Sequence, residues 1–123
     1  MYMNLLRCPV CREPLQTEGR TARCANGHAF DFAKEGYINL LAGSHKAGSA
    51  TGDSRTMALA RRAFLDKGYF APLRGAATES MGRFAAQGAA LDICCGEGYY
   101  SSALRAAGNE VYAFDLSKEM VRL

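Results

Sequence analysis

No stretch of this 123-residue chain is apolar for long enough to span a membrane, and the apolar start gives way at Arg7-Cys8, too early for a secretory signal. The cysteines number five, an odd count that suits a disulfide framework poorly, all the more without a route to an oxidising compartment. Large apolar side chains are scarce in residues 1–33, mainly Leu5, Leu6, Leu15, Phe30 and Phe32, too few for a self-sufficient core. Charge of one sign is not in large excess: the net formal charge is +3. It is unevenly spread, with 12 Lys/Arg against 7 Asp/Glu in residues 1–88 and 3 against 5 in residues 89–123. These absences leave a soluble, cytoplasmic protein without a membrane partner, made of one domain or of a small module joined to part of another. A basic front and an acidic rear suit action on a polyanion.

What is present begins with the cysteines. Cys8-Pro9-Val10-Cys11 and Cys24-Ala25-Asn26-Gly27-His28 form two knuckles separated by 12 residues. Three thiolates and one imidazole make a closed tetrahedral set, so Cys8, Cys11, Cys24 and His28 are read as ligands of a structural Zn²⁺ with no open catalytic position. The metal then supplies folding free energy that the thin core cannot, on the order of 10 kcal/mol for such sites. Short strands at Thr21–Arg23 and Ala29–Phe32 complete a ribbon, and the module is bounded at 1–42.

The stretch Leu91-Asp92-Ile93-Cys94-Cys95-Gly96-Glu97-Gly98 is an apolar run ending in a small-residue loop. A helix from Tyr99 to Ala107 stops at Gly108, and a second strand, Val111–Phe114, ends in Asp115. Strand, glycine loop, helix, strand and acid make one nucleotide-binding βαβ unit, bounded at 89–123. A dinucleotide is one candidate ligand. Glu97 counts against it, because a carboxylate in the loop repels pyrophosphate. S-adenosylmethionine carries no phosphate but does carry a sulfonium, so Asp92 and Glu97 suit it better. Asp115, 17 residues after Gly98, is placed to accept hydrogen bonds from ribose hydroxyls, and Leu116 to cover one face of the adenine. The small and apolar run Ala89–Cys95 predicts a parallel strand covered on both faces. Cys94 and Cys95 are read as small buried residues rather than a redox pair.

Residues 43–88 link the two. The Gly/Ser-rich stretch 43–52 reads as a loop. Asp53 or Ser54 caps a helix to Lys67 with Met57, Ala60 and Phe64 on its apolar face. Pro72 opens a second helix whose stripe of Leu73, Ala76, Ala77, Met81 and Phe84 is expected to pack on the sheet.

Several motifs, in order, closely resemble the ribosomal RNA large-subunit guanine-N1 methyltransferases: the two knuckles, Ala33-Lys34-Glu35-Gly36-Tyr37-Ile38-Asn39-Leu40-Leu41, Gly52-Asp53-Ser54, Ala60-Arg61-Arg62-Ala63-Phe64-Leu65, Gly68-Tyr69-Phe70-Ala71-Pro72-Leu73 and the glycine loop. The loop resembles motif I of class I methyltransferases through Asp92, Cys94, Gly96 and Gly98, with cysteine at 94 where that family has glycine. The resemblance implies a small zinc ribbon followed by helices and the start of an α/β Rossmann-like class I methyltransferase domain, truncated after the second strand and inactive by itself. It implies S-adenosyl-L-methionine as cofactor, bound by Phe70, Asp92, Gly96, Glu97, Gly98, Asp115 and Leu116, with Phe70 as a lid. It implies a hairpin loop of 23S ribosomal RNA as partner, contacted through Lys46, Arg55, Arg61 and Arg62, and a homodimer. No catalytic residue is assigned. The rival readings are a non-enzymatic zinc-ribbon RNA-binding module with a vestigial cofactor loop, and an NAD-linked oxidoreductase.

Overall fold

The computed structural model describes residues 5–41, 52–84 and 88–123. Two compact units divide the chain, Met1–Ser49 and Ala50–Leu123.

The first unit is an antiparallel sheet of β1 (Gln16–Glu18), β2 (Thr21–Arg23) and β3 (Ala29–Asp31), in the order β1-β2-β3. β2 and β3 lie where the sequence predicts them, β3 one residue shorter. β1 is an addition. All three of its side chains are exposed, so no alternation of apolar and polar residues marks it, and only its antiparallel pairing with β2, from Gln16 opposite Arg23 to Glu18 opposite Thr21, defines it. The core holds Cys8, Leu15, Ala22 and Cys24, flanked by half-buried Leu6, Phe30, Phe32, Ile38 and Leu40. Ile38 and Leu40 reach it because the chain reverses at Ala33–Tyr37, where the Ala33 N–H donates to the Tyr37 carbonyl. Phe32 and Ile38 then pair as an isolated bridge.

The second unit runs α1 (Arg55–Leu65), α2 (Ala71–Phe84), β4 (Ala89–Ile93), α3 (Tyr99–Ala106), β5 (Glu110–Phe114) and α4 (Lys118–Val121). The Ser54 hydroxyl caps α1 by accepting from the Met57 N–H, and Pro72 lies in the first turn of α2 where its missing N–H costs nothing. β4 and β5 are parallel, in register from Ala89 opposite Glu110 to Ile93 opposite Phe114. The ribbon, helices and opening βαβ unit agree with the expected fold class.

Three packing expectations are corrected. β4 is not covered on both faces: Ala90 is buried, but Leu91 and Ile93 on the opposite face are 63% and 68% exposed. α1 does not bury Met57, Ala60 and Phe64; Ala58 is buried, with Arg62 and Leu65 half-buried on the same side, a spacing of four and seven. α2 buries nothing fully, and its stripe of Leu73, Met81 and Phe84 is exposed, while Arg74 and Thr78 are half-buried. Each helix turns an arginine inward because it meets a partner there: Arg62 of α1 meets Glu97, and Arg74 of α2 meets the Tyr99 ring.

Candidate functional site

In the ribbon, one ligand atom each from Cys8, Cys11, Cys24 and His28 converge so that all four lie within 4.8 Å of one another. The Sγ atoms of Cys11 and Cys24 are 3.6 Å apart, and Cys24 Sγ is 3.3 Å from His28 Nδ1. These sulfurs are far beyond disulfide distance. They fit a common tetrahedral centre, since zinc–sulfur bonds of about 2.3 Å separate two sulfurs by about 3.8 Å. Local backbone builds the knuckles: the Cys8 N–H donates to the Glu13 carbonyl, the Arg12 N–H to the Cys8 carbonyl, and the Gly27 N–H to the Cys24 carbonyl. Gly27, at φ 82, takes a turn that a side chain resists. Hydrogen bonding to the Glu13 backbone, then to the Asn26 side chain, lowers the Cys11 thiol to about 6, favouring the thiolate. Burial pushes the Cys24 thiol up, so its ligation leans on the metal itself. The residues present suit a structural Zn²⁺ held by Cys8, Cys11, Cys24 and His28.

The second site is the loop between β4 and α3. Asp115, just past the end of β5, ties it together: one carboxylate oxygen accepts from the Gly96 N–H at 2.9 Å and the other from the Ser117 N–H at 2.7 Å. A carboxylate has about four lone-pair sites, so acceptor capacity is left for a ligand. Asp92 accepts from the Ser101 hydroxyl at 2.5 Å, which fastens β4 to the first turn of α3. Gly98, at φ 83, starts that helix without a side-chain cap. Cys94 adopts a φ of 64, a conformation natural to glycine and costly for other residues. It is exposed and Cys95 half-buried, contrary to the reading of both as buried. Burial, then the charges of Asp92 and Asp115, pushes the Cys95 thiol up to about 11.

Glu97 is the surprise of the loop. Its side chain is 6% exposed, and Arg62 Nε donates to it at 3.1 Å. The carboxylate that would repel a pyrophosphate is therefore neutralised from α1, and the electrostatic case against a dinucleotide is weaker than the sequence suggests. The same pairing turns Arg62 inward. Arg61 pairs with Asp53 at 3.0 Å and Arg55 loosely with Glu119 at 3.7 Å, both arginines keeping more than half of their side-chain surface exposed. Lys46 lies outside the described residues. Phe70 is 39% exposed and meets Phe64 edge-on at 5.8 Å. Leu116 is 58% exposed.

A cleft of about 440 Å³ opens beside the loop, lined by Arg62, Asp66, Arg74, Glu97, Gly98, Tyr99 and Ser102. Nothing in the sequence marks Arg74 and Asp66, since no spacing links them to the loop residues they meet in this cleft.

Comparison with known proteins follows this division. Residues 6–49 match the family described as RlmA, N-terminal, and residues 91–123 match the family described as Methyltransferase domain. Over 125 aligned residues, 98% of the chain, it is 40% identical to a 23S rRNA (guanine(748)-N(1))-methyltransferase of Streptomyces fradiae, covering 44% of that protein. It is also 40% identical over 82 residues, 63% of the chain, to a putative 23S rRNA (guanine-N(1)-)-methyltransferase of Micromonospora griseorubida, covering 27% of it. The chain thus spans less than half the length of these curated relatives. A methyltransferase domain implies S-adenosylmethionine, and a zinc ribbon with this Cys/His cluster implies structural zinc. In two separately matching regions, in the same order, the chain is similar to the N-terminal part of the 23S rRNA guanine-N1 methyltransferases: a zinc ribbon, then the opening of a methyltransferase domain.

Proposed function

We propose that this chain forms the recognition and cofactor-opening part of an enzyme that moves a methyl group from S-adenosylmethionine to N1 of a guanine in 23S ribosomal RNA. The observation that carries the reading is the 40% identity that runs across both matching regions without a break in their order. When bound, S-adenosylmethionine supplies a methyl group on a sulfonium. Asp115 would take the ribose hydroxyls, Gly96 and Gly98 would let the nucleoside approach the backbone, and Phe70 and Leu116 would supply apolar contact. Asp92 acts by holding Ser101 and so the start of α3.

The RNA target is a base in a hairpin loop, where it is unstacked and open to capture. Exposed Arg55 and Arg61, with Lys46, would touch phosphate oxygens. Arg62 serves Glu97 instead. The protein works in the cytoplasm as a homodimer; no helix among the described residues is long and apolar enough to cross a membrane.

Methylation at N1 blocks Watson–Crick pairing, so reverse transcription of 23S rRNA reads it directly. Cells carrying the gene are expected to show a stop at one guanine that cells lacking it do not. An unchanged stop pattern would sink the reading and favour a non-enzymatic RNA-binding module. Calorimetry adds a second arm: heat with NAD and none with S-adenosylmethionine would favour the oxidoreductase.

A further inference from the structure

Resting on the S-adenosylmethionine reading, we infer that the cleft between α1, α2 and the glycine loop receives the α-amino-acid end of the cofactor, with Arg74 holding its carboxylate and Asp66 its ammonium. The cleft is lined by two cations and two anions. Arg62 and Glu97 satisfy each other at 3.1 Å. Arg74 and Asp66 have no ion pair among the described residues. A net anion entering this space would face Asp66, and a net cation would face Arg74. A zwitterion, carrying both charges two bonds apart on one carbon, matches both.

Arg74 is also prepared for the task. Its guanidinium carbon sits 4.4 Å from the centroid of the Tyr99 ring. Contact with the ring face holds the group in place while leaving N–H donors for a carboxylate, which can accept two of them. Tyr99 follows Gly98, and the loop ahead of it is anchored at Gly96 by Asp115. A ligand with its ribose at Asp115 therefore reaches this cleft by following the loop. Neither Arg74 nor Asp66 belongs to the glycine motif, so the inference assigns cofactor specificity to the helices that precede the sheet.

Calorimetry on the 123-residue chain tests it with two probes, S-adenosylmethionine and 5′-methylthioadenosine, which lacks the amino-acid end. Arg74→Met is expected to weaken S-adenosylmethionine about 10- to 100-fold, the loss of a charged hydrogen-bonded partner, and to leave methylthioadenosine within about twofold. Asp66→Asn, at an exposed position that folding tolerates, is expected to weaken S-adenosylmethionine about 2- to 5-fold. Equal loss of both probes in Arg74→Met, or no loss from either variant, overturns the subsite. A wild-type chain that binds the two probes equally also overturns it while leaving the cofactor reading intact. Binding of neither probe removes the cofactor reading and the subsite with it.

Discussion

The two units reach order by opposite means. Among its described residues the ribbon has one fully buried large aliphatic side chain, Leu15, and four Cys and His side chains drawn to a point that suits a metal. Among its described residues the second unit has no such point. It is tied by hydrogen bonds and ion pairs from residues far apart in the chain: the Ser117 hydroxyl to the Asp53 carbonyl at 2.7 Å, Arg62 to Glu97, Asp115 to Gly96. One region concentrates its stabilisation in a single centre; the other spreads it over contacts worth about a kilocalorie each. A metal can be read from ligand spacing, and a distributed network cannot.

The contrast is sharpest at the metal. Cys24→Ser, or chelation, is expected to remove the zinc and unfold the ribbon, since about 10 kcal/mol of binding is lost with it. Elemental analysis and loss of ribbon amide dispersion check this, and full zinc occupancy in the variant would refute the ligand set. The small folded population that survives without metal should also depend on pH. Cys11 is lowered from 9.0 to about 6, so its contribution to stability is complete above 9.0 and lost as pH falls through about 6. Cys24, raised by burial, works in the opposite direction.

No single change in the second unit should match that effect. The largest is expected from Gly52→Ala. Gly52 has a φ of 82, and a β-carbon there would lie 2.8 Å from Ser117 Cβ and 3.0 Å from its backbone. Strain and overpacking together cost about 2–4 kcal/mol, read as a fall in the denaturant midpoint. Arg62→Met strands the buried Glu97 carboxylate. Because Arg62 is 38% exposed, water softens the loss to about 1–2 kcal/mol, checked by the same titration.

Two smaller effects concern the paired cysteines. Cys94→Gly is expected to stabilise the unit by up to about 1 kcal/mol, because glycine carries no penalty at a φ of 64. A destabilised variant would show that the thiol makes a contact worth more than the strain. Cys95, with its thiol pushed up to about 11, is expected to resist iodoacetamide at pH 8, while exposed Cys94 alkylates. Mass mapping of the labelled peptide distinguishes the two.

Much of the fold was legible. β2, β4, α3, β5 and the cap at Ser54 followed from local signals: apolar runs, glycines and capping hydroxyls. Periodicity points to the wrong faces of α1 and α2, because it counts apolar residues and both helices turn arginine inward. β1 was missed because an exposed three-residue edge strand has no pattern of its own. Around the glycine loop, the motif marks Asp92, Gly96, Gly98 and Asp115, which the structure ties together there, whereas no motif marks Arg74 and Asp66 in the adjoining cleft.

The amino-acid sequence by itself determined which four Cys and His side chains converge in the ribbon and the strand–loop–helix–strand–acid order, since both depend on knuckles and turns of a few residues whose geometry the backbone dictates. Only the tertiary structure decided that Glu97 is neutralised by Arg62 and that Arg74 rests on Tyr99. Those pairings join residues 35 and 25 positions apart, and side chains at such separations meet only after the helices have packed.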